Sequence, residues 1–509
     1  MTIDIQTIAV VGAGAMGRGI AQIAAQAGVR VRLYDTNADA VTAARESLRQ
    51  LWEKLSQKGK LSAEQAEAAL ARVIPASSLQ DLTDVQLVVE AIVERLDIKR
   101  DLFAQLEGIV STDCILASNT SSLSITAIAA ACKHPQRVAG FHFFNPVALM
   151  KVVEVIDGLR SAPEAGDALA ALARRMGHTP VRAKDMPGFI VNHAGRGMNT
   201  EGLRVAQENV ASFAQIDAIM REQAGFRMGP FELMDLTALD VSHPVMESIY
   251  QQFYDEPRFR PSPITTVRLA GGLIGRKTGE GFYAYPDGQK QVLAESPVPA
   301  AQAGLSVWIS PAHTDGQARA RALLQTLNAN IVDTAEPPAD ALIIVTPLGE
   351  DVSTSVFQQQ LDAARTVGLD TLHPLQADKR RTLMLSPATQ ANWRDAAHAL
   401  LASDGAPVSV IQDSPGFVAQ RIVAMIVNIA AEIAQQNIAT PEDIDRAVTL
   451  GLGYPAGPLA MGDALGSERI LEILRNMQRV TGDMRYRPSL WLQRRVQLGL
   501  PLLTVPASR

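Results

Sequence analysis

The chain has 509 residues and a net charge of −6, with 47% hydrophobic and 20% charged residues. This balance is typical of a globular protein, and the length predicts about three or four domains. The acidic charge and the scattered basic residues give no indication of a nucleic-acid partner.

The sequence also bears on where the protein works. We expect no signal peptide before the first strand and no membrane contact, because no apolar stretch reaches the roughly 20 residues that span a bilayer. The two cysteines, Cys114 and Cys132, are too few for a disulfide framework and fit a reducing compartment. These features predict a cytoplasmic protein.

The first 186 residues predict an α/β domain. Residues 7–11 are strand-like, residues 17–28 look helical, and residues 29–34 alternate like a second strand. Residues 38–72 predict a helical hairpin with a turn at 57–62. Further short apolar runs predict strands at 86–90, 114–117, 137–143 and 151–156. Strands alternating with helices favour a parallel, doubly wound, Rossmann-like sheet.

The character of the sequence changes at Pro187, after which it is mostly helical. Strand-like runs return at 306–309, 341–346 and 382–385, and the chain is helical again from Asp413. The predicted order is the α/β domain (1–186), an all-α domain (187–287), a linker rich in Pro, Ala and Gly (288–305), a degenerate α/β segment (306–412) and a second all-α domain (413–509).

The two helical domains are predicted to be copies of one another. DMPGF at 185–189 recurs as DSPGF at 413–417, a shift of 228 residues. The same shift relates Ile216-Asp217 to Ile444-Asp445, Gly229-Pro230 to Gly457-Pro458, and Asp235 to Asp463. FRPS at 259–262 recurs as YRPS at 486–489, slipped by one residue. Landmarks that share one offset indicate an internal duplication.

A dinucleotide fingerprint, GAGAMG at 12–17, follows the first strand and opens the first helix. Its first glycine permits the tight turn, the second lets a pyrophosphate approach, and the third lets helix and strand pack closely. The acid that ends the second strand would bind the adenosine ribose and repel a 2′-phosphate, so NAD is favoured over NADP; FAD is an alternative because it uses the same fingerprint. The predicted cofactor-binding residues are Gly12, Gly14, Ala15, Met16, Gly17 and Asp35.

A candidate acid–base pair lies in residues 139–156. Glu154 stands among valines and isoleucine in a strand-like run, where a carboxylate is costly unless it is paired. His142 lies in an apolar aromatic run, and the turn at Asn145-Pro146 returns the chain between the two. The pairing would orient the imidazole for use as a general base. Taken alone, each residue also fits a structural role, as a satisfied core histidine and a solvated glutamate.

Two polar elements accompany this pair. SNTSSLSI at 118–125 follows an apolar run, at the carboxyl end of a predicted strand where such folds bind ligands. It would also serve as an N-cap for the next helix, and the two roles are compatible. Asn192 closes PGFIVN at 187–192, and we expect it to face the cleft between domains.

The motifs GAGAMG, SNTSS, GFHFFNPVALMKVVEVI, DMPGFIVN and GRKTGEGFY together resemble the L-3-hydroxyacyl-CoA dehydrogenase family over about residues 5–286. The resemblance implies that His142 and Glu154 are the catalytic pair and that Ser121 and Asn192 contact the substrate. Further contacts are implied on the nicotinamide side for Glu94, Lys99, Asn145 and Lys277, and with coenzyme A for Ser47 and Lys54. Family members often have arginine after the substrate-contacting asparagine, whereas this chain has His193.

The implied activity is NAD-dependent oxidation of a (3S)-3-hydroxyacyl-CoA to a 3-oxoacyl-CoA, with no metal. The long form with a duplicated helical domain is similar to bacterial enzymes of phenylacetate breakdown, which act on 3-hydroxyadipyl-CoA, so the setting is fatty-acid or aromatic degradation. Two alternatives stay open: a dehydrogenase of free β-hydroxy acids, and a non-enzymatic NAD-binding structural protein.

The second half is predicted to be catalytically silent. It lacks both GxGxxG and HFFNP, and the 228-residue shift places Gln420 and Thr382 where the first half has Asn192 and Glu154. We expect it to pack against the first helical domain. The protein would then be a homo-oligomer (dimer or trimer), or a monomer in which the repeat replaces a partner's domain.

Overall fold

In this computed structural model, residues 4–291 and 294–505 are described, and they form two compact units. One unit runs to His193 and takes in Gln436–Leu452. The other comprises Ala194–Gln435 and the residues from Gly453 onward. Among the described helices, none is long and apolar enough to cross a membrane.

The first unit is built on an eight-stranded sheet. Its strands are β1 (Thr7–Val11), β2 (Arg30–Tyr34), β3 (Val73–Pro75), β4 (Leu87–Glu90), β5 (Ile115–Ser118), β6 (Val138–Phe143), β7 (Val152–Asp157) and β8 (Thr179–Lys184). They are ordered β3-β2-β1-β4-β5-β6-β7-β8. This order confirms the predicted Rossmann-like sheet, with β3 and β8 as strands that the sequence analysis did not predict.

One strand departs from the parallel arrangement. Strand β7 runs antiparallel to β6, in a register that places His142 opposite Glu154, whereas β1 to β6 are parallel. The two strands are joined only by residues 144–151, which are too few for the crossover helix that a parallel pair needs.

Within residues 4–193, six helices accompany the sheet, and a short seventh ends at the boundary of the unit. They are α1 (Ala15–Gln26), α2 (Ala38–Gln57), α3 (Ala63–Arg72), α4 (Leu96–Glu107), α5 (Ile125–Ala129), α6 (Pro163–Arg175) and α7 (Val191–Ala194). The predicted helical hairpin is α2 and α3, and α3 begins with a capping box formed by Ser62 and Gln65. Its apolar face, with Trp52 fully buried, joins the core under the sheet.

The second unit contains the first helical domain. Its helices are α8 (Arg196–Gln207), α9 (Phe213–Ala218), α10 (Pro230–Thr237), α11 (Leu239–Gln252) and α12 (Pro263–Ala270). A π-helical turn, Ile219–Gln223, continues α9. Helix α10 begins at Pro230 of the repeated Gly229-Pro230 pair, since proline suits the first turn of a helix.

The degenerate α/β segment forms a six-stranded sheet in the same unit, ordered β10-β9-β11-β12-β13-β14. Its strands are β9 (Ser306–Ile309), β10 (Asn330–Ile331), β11 (Ala341–Val345), β12 (Thr366–Leu369), β13 (Arg381–Leu385) and β14 (Val408–Ile411), and its helices are α13 (Thr314–Thr326), α14 (Val352–Gln359) and α15 (Ala391–Leu401). Strand β13 is antiparallel to β12, as β7 is to β6.

The second helical copy consists of α16 (Ala419–Gln435), α17 (Pro441–Leu452), α18 (Pro458–Leu465), α19 (Ser467–Thr481) and α20 (Leu490–Leu498). Helix α16 packs against α8, so the expected packing of the two copies is observed. Gly197 of α8 has no room for a side chain, because a Cβ would come within 3.0 Å of the backbone of Ile426. Helix α17 instead belongs to the first unit.

The repeat is visible in the backbone as well as in the sequence. Phe189 and Phe417 both adopt the left-handed region, with φ of 47° and 52°. Asp185 accepts hydrogen bonds from the backbone N–H groups at the start of α5, and Asp413 does the same at the start of α14. Equivalent acids therefore cap equivalent helices in the two α/β modules.

Candidate active site

The glycine loop has the shape that a pyrophosphate requires. Gly12 has a φ of 108°, and a side chain there would strike the backbone of Ala91. A Cβ on Gly14 would meet no atom within 4 Å, so the loop is open at this point. No side chain caps α1 at Gly14, which leaves the first N–H groups of the helix for a ligand. These features fit a bound dinucleotide.

Asp35 follows β2 and has a contact that the sequence analysis did not predict. Its carboxylate accepts hydrogen bonds from the backbone N–H of Ala13 at 2.8 Å and of Asn37 at 3.0 Å. The residue thus holds the glycine loop and stands at the strand end where a ribose-binding acid is expected.

Replacing Asp35 with serine is expected to weaken the preference for NAD over NADP by about tenfold, which corresponds to about 1.4 kcal/mol. The negative charge that repels a 2′-phosphate is lost, while a small polar side chain remains at the end of the strand. The measurement is kcat/KM for both cofactors. Asp39→Ser, an exposed acid in the first turn of α2, is the matched control. An unchanged ratio in Asp35→Ser would remove Asp35 from the ribose site.

The candidate acid–base pair is in contact. His142 Nδ1 lies 2.7 Å from Glu154 Oε2, and both side chains are buried. The contact follows from the antiparallel register of β6 and β7, which puts the two residues directly opposite each other. Because Nδ1 is engaged by the carboxylate, Nε2 is the nitrogen that can take up a proton.

The other oxygen of Glu154 is held by the turn that follows β8. Oε1 accepts hydrogen bonds from the backbone N–H groups of Ile190 and Val191, both at 2.9 Å. The left-handed backbone of Gly188 and Phe189 turns the chain so that these two N–H groups point at the carboxylate. A buried charge is tolerated when it is paired and hydrogen-bonded in this way. The PGF motif thus supports the acid, a role that sequence reasoning missed.

Aromatic side chains surround the imidazole. The ring of His142 lies 4.5 Å from that of Phe144 and 6.0 Å from that of Phe189, centroid to centroid. Glu154 and the two rings limit the rotation of the imidazole. An acid–base group in such a setting keeps one orientation.

Glu94 organises the SNTSS loop. Its Oε1 accepts hydrogen bonds from Thr120 Oγ1 at 2.6 Å, Ser121 N at 2.9 Å and Ser122 N at 3.1 Å. Burial would raise the pKa of Glu94, but the hydrogen bond from Thr120 and the ammonium of Lys99 outweigh it, so the pKa is lowered. The carboxylate therefore stays charged and fixes the backbone of Ser121.

A buried ion pair lies behind Glu94. Lys99 Nζ is 2.5 Å from Glu90 Oε1 and 3.3 Å from Glu94 Oε2, and Glu90 also accepts a hydrogen bond from Ser118 at 2.7 Å. Glu90 is fully buried, and Lys99 is 1% exposed. Sequence reasoning treated Glu90 only as the end of a strand. The available signal was a carboxylate that closes an apolar run.

The remaining predicted residues of the first unit lie on separate elements. Asn192 follows Val191 in α7, and Asn145 is exposed after β6. Ser47 and Lys54 lie on one face of α2, because seven residues make about two helical turns. Ala15 and Met16 begin α1.

Lys277 lies in the second unit, where its ammonium is 2.6 Å from Asp240 and mostly exposed. Its contact with a cofactor stays a prediction.

Two family models match this chain. The family model for the NAD-binding domain of 3-hydroxyacyl-CoA dehydrogenase matches residues 7–186. The model for the C-terminal domain of that family matches twice, at 188–285 and 416–501, which confirms the predicted duplication.

Relatives and solved structures match either nearly the whole chain or its first half. The 3-hydroxyadipyl-CoA dehydrogenase of Escherichia coli is 39% identical over 98% of this chain and 99% of its own length. A probable 3-hydroxybutyryl-CoA dehydrogenase of Deinococcus radiodurans is 43% identical but aligns with 54% of this chain and 99% of its own. The crystal structure of a 3-hydroxybutyryl-CoA dehydrogenase from Escherichia coli superposes with a TM-score of 0.85 at 36% identity, covering 97% of this chain and 99% of that one. The chain belongs to the 3-hydroxyacyl-CoA dehydrogenase family, and NAD is its cofactor.

Proposed function

We propose that the protein oxidises the 3-hydroxyl of a (3S)-3-hydroxyacyl-CoA and that His142 and Glu154 handle the proton. The observation that carries the proposal is the buried 2.7 Å contact between Nδ1 and Oε2. NAD, when bound, supplies the hydride acceptor for C3 of the acyl chain. His142 Nε2 removes the hydroxyl proton, and the carboxylate of Glu154 stabilises the imidazolium that forms.

Ser121 and Asn192 are proposed to hold the hydroxyl and the thioester carbonyl in reacting geometry. The support for Ser121 is its backbone, which Glu94 fixes by a 2.9 Å hydrogen bond. Glu94, Lys99, Asn145 and Lys277 are proposed on the nicotinamide side. Lys99 would act on the nicotinamide side through Glu90 and Glu94, the two carboxylates that its ammonium contacts.

Ser47 and Lys54 are proposed to contact coenzyme A. Their shared face on α2 supports a common ligand, and the ammonium of Lys54 suits a phosphate. We further propose the five-segment division given above, a catalytically silent second half and a cytoplasmic location. The protein would be a dimer, a trimer or a monomer in which the repeat replaces a partner's domain.

The test of the function is oxidation of NADH with acetoacetyl-CoA, followed by absorbance. We expect turnover with the thioester and none with free acetoacetate. Turnover with the free acid alone would indicate a β-hydroxy acid dehydrogenase, and NADH binding without turnover would indicate a structural protein.

A panel in the oxidative direction then defines the acyl group. The Escherichia coli relative carries the name 3-hydroxyadipyl-CoA dehydrogenase over nearly the full length. We therefore propose that kcat/KM for 3-hydroxyadipyl-CoA exceeds that for 3-hydroxybutyryl-CoA. The reverse order would assign the chain to short monocarboxylic substrates.

A further inference from the structure

Each helical copy has a segment that hydrogen-bonds to the last strand of a sheet, β8 in one unit and β14 in the other. In the first unit, the backbone N–H of Lys184 on β8 donates to the carbonyl of Ile438 at 2.8 Å. In the second unit, the N–H of Gln412, just after β14, donates to the carbonyl of Val210 at 2.9 Å. Both members of the second contact are related to those of the first by the 228-residue shift.

A second pair of contacts repeats the pattern. Asp443 Oδ2 accepts a hydrogen bond from the backbone of Arg182 at 3.2 Å, and Gln215 Nε2 donates to the carbonyl of Val410 at 3.2 Å. The same shift relates these residues too. The exchanged segments are residues 436–452 of the second helical copy and 208–224 of the first. Each segment contacts the α/β module that precedes the other copy: the first module contains β1 to β8, and the second contains β9 to β14. Helix α17 lies on β8 and on β7, the strand that carries Glu154.

In the second module, the exchanged segment fills the counterpart of the catalytic site. Asp370 and Thr382 stand at the positions of His142 and Glu154. The side-chain amide of Gln223 donates to Asp370 Oδ2 at 2.8 Å and accepts from Thr382 Oγ1 at 2.5 Å. Gln420, the counterpart of Asn192, donates to Asp370 Oδ1 at 2.9 Å. These four side chains are buried, so part of the chain itself takes up this site.

In the first module, the residue equivalent to Gln223 is Gly451 on α17. A Cβ at this position would lie 3.0 Å from Val191 Cγ2 and 3.6 Å from Val152 Cγ1, both in the same unit. Val191 is the residue whose N–H binds Glu154. Its counterpart in the second module is the smaller Ala419, and there the residue equivalent to Gly451 is the larger Gln223.

We infer that Gly451, supplied by the second helical copy, is a positioning residue for the acid–base pair of the first module. Glycine at this exchanged position leaves space for Val191 and for the long carboxylate that Val191 holds. At the equivalent position of the second module, Gln223 accepts a hydrogen bond from Thr382, whose side chain is shorter than that of its counterpart Glu154. The inference rests on the proposed function, because it assigns Gly451 a role through Glu154 and His142.

The experiment is Gly451→Gln in the full chain. We expect kcat to fall by about 100-fold or more, the usual scale for a positioned base. NADH affinity and KM for acetoacetyl-CoA should each change by less than about threefold, so that the loss falls on kcat. Wild-type kcat in a folded Gly451→Gln protein would overturn the inference.

A second pair of variants guards against misfolding. Gly451→Ala adds only the Cβ that crowds Val191, and we expect a several-fold loss of kcat. Adding Val191→Ala, as in the second module, should restore it. A loss that Val191→Ala does not relieve contradicts the inference. Gln223→Gly is the matched control, with unchanged kcat. If His142→Gln is inactive while Gly451→Gln is normal, only this inference fails; if both are normal, the proposed function fails.

Discussion

His142→Gln is expected to lower kcat by about 10²–10⁴-fold while NADH binding is retained. Glutamine fills a similar volume and can still hydrogen-bond to Glu154, so the fold is preserved. It cannot take a proton from a hydroxyl near neutral pH, which removes the general base. Steady-state kinetics with acetoacetyl-CoA and fluorescence titration with NADH measure the two effects separately.

The loss should be confined to this histidine. His134→Gln alters an exposed histidine of the same unit and is expected to keep wild-type kinetics. Glu154→Gln removes the charge that stabilises the imidazolium and should also lower kcat, with little change in KM. Wild-type turnover in His142→Gln would refute the catalytic assignment.

The sequence was sufficient where local pattern and chemistry agree. The run TIAVV followed by GAGAMG predicted both β1 and the open loop at Gly14, because that motif specifies a strand, a turn and a helix start together. The pairing of His142 with Glu154 was also accessible. A carboxylate in an apolar strand needs a partner, and the turn at Asn145-Pro146 brings one back.

Features that depend on distant parts of the chain were not accessible. Strand β8, TPVRAK, is too polar to be recognised from its sequence. Its backbone is held by distant residues, since Arg182 N donates to Asp443 and Lys184 N donates to the carbonyl of Ile438. The placement of α17 with the first unit has no local signature. The exchange of α17 is recognised when contacts of the two copies are compared at residues 228 positions apart.

The exchange of α17 gives a structural reason for retaining the second copy, which we propose to be catalytically silent. A module whose dyad positions hold Asp370 and Thr382 is not arranged for the same chemistry. Its helical part nevertheless supplies α17 to the sheet that carries Glu154. Loss of the second half is therefore expected to affect the first site through missing structure rather than missing chemistry.

The packing of α16 on α8 predicts a large effect on stability. Arg421 is 2% exposed and contacts Glu201 at 2.8 Å, Glu208 at 2.7 Å and the hydroxyl of Tyr486 at 2.9 Å. Glu201 is fully buried. Arg421→Met is expected to lower the free energy of unfolding by about 3–5 kcal/mol, because the glutamate is left as a buried charge without its main partner.

Chemical denaturation measures this change, and two further variants identify its cause. Arg49→Ala breaks exposed ion pairs with Glu46 and Glu53 on α2 and should leave the free energy of unfolding almost unchanged, because solvent screens such pairs. Adding Glu201→Leu to Arg421→Met removes the stranded charge and should recover most of the lost stability. If the double variant is no more stable than Arg421→Met, the loss comes from packing around the arginine stem, and the buried charge is not what destabilises the helix pair.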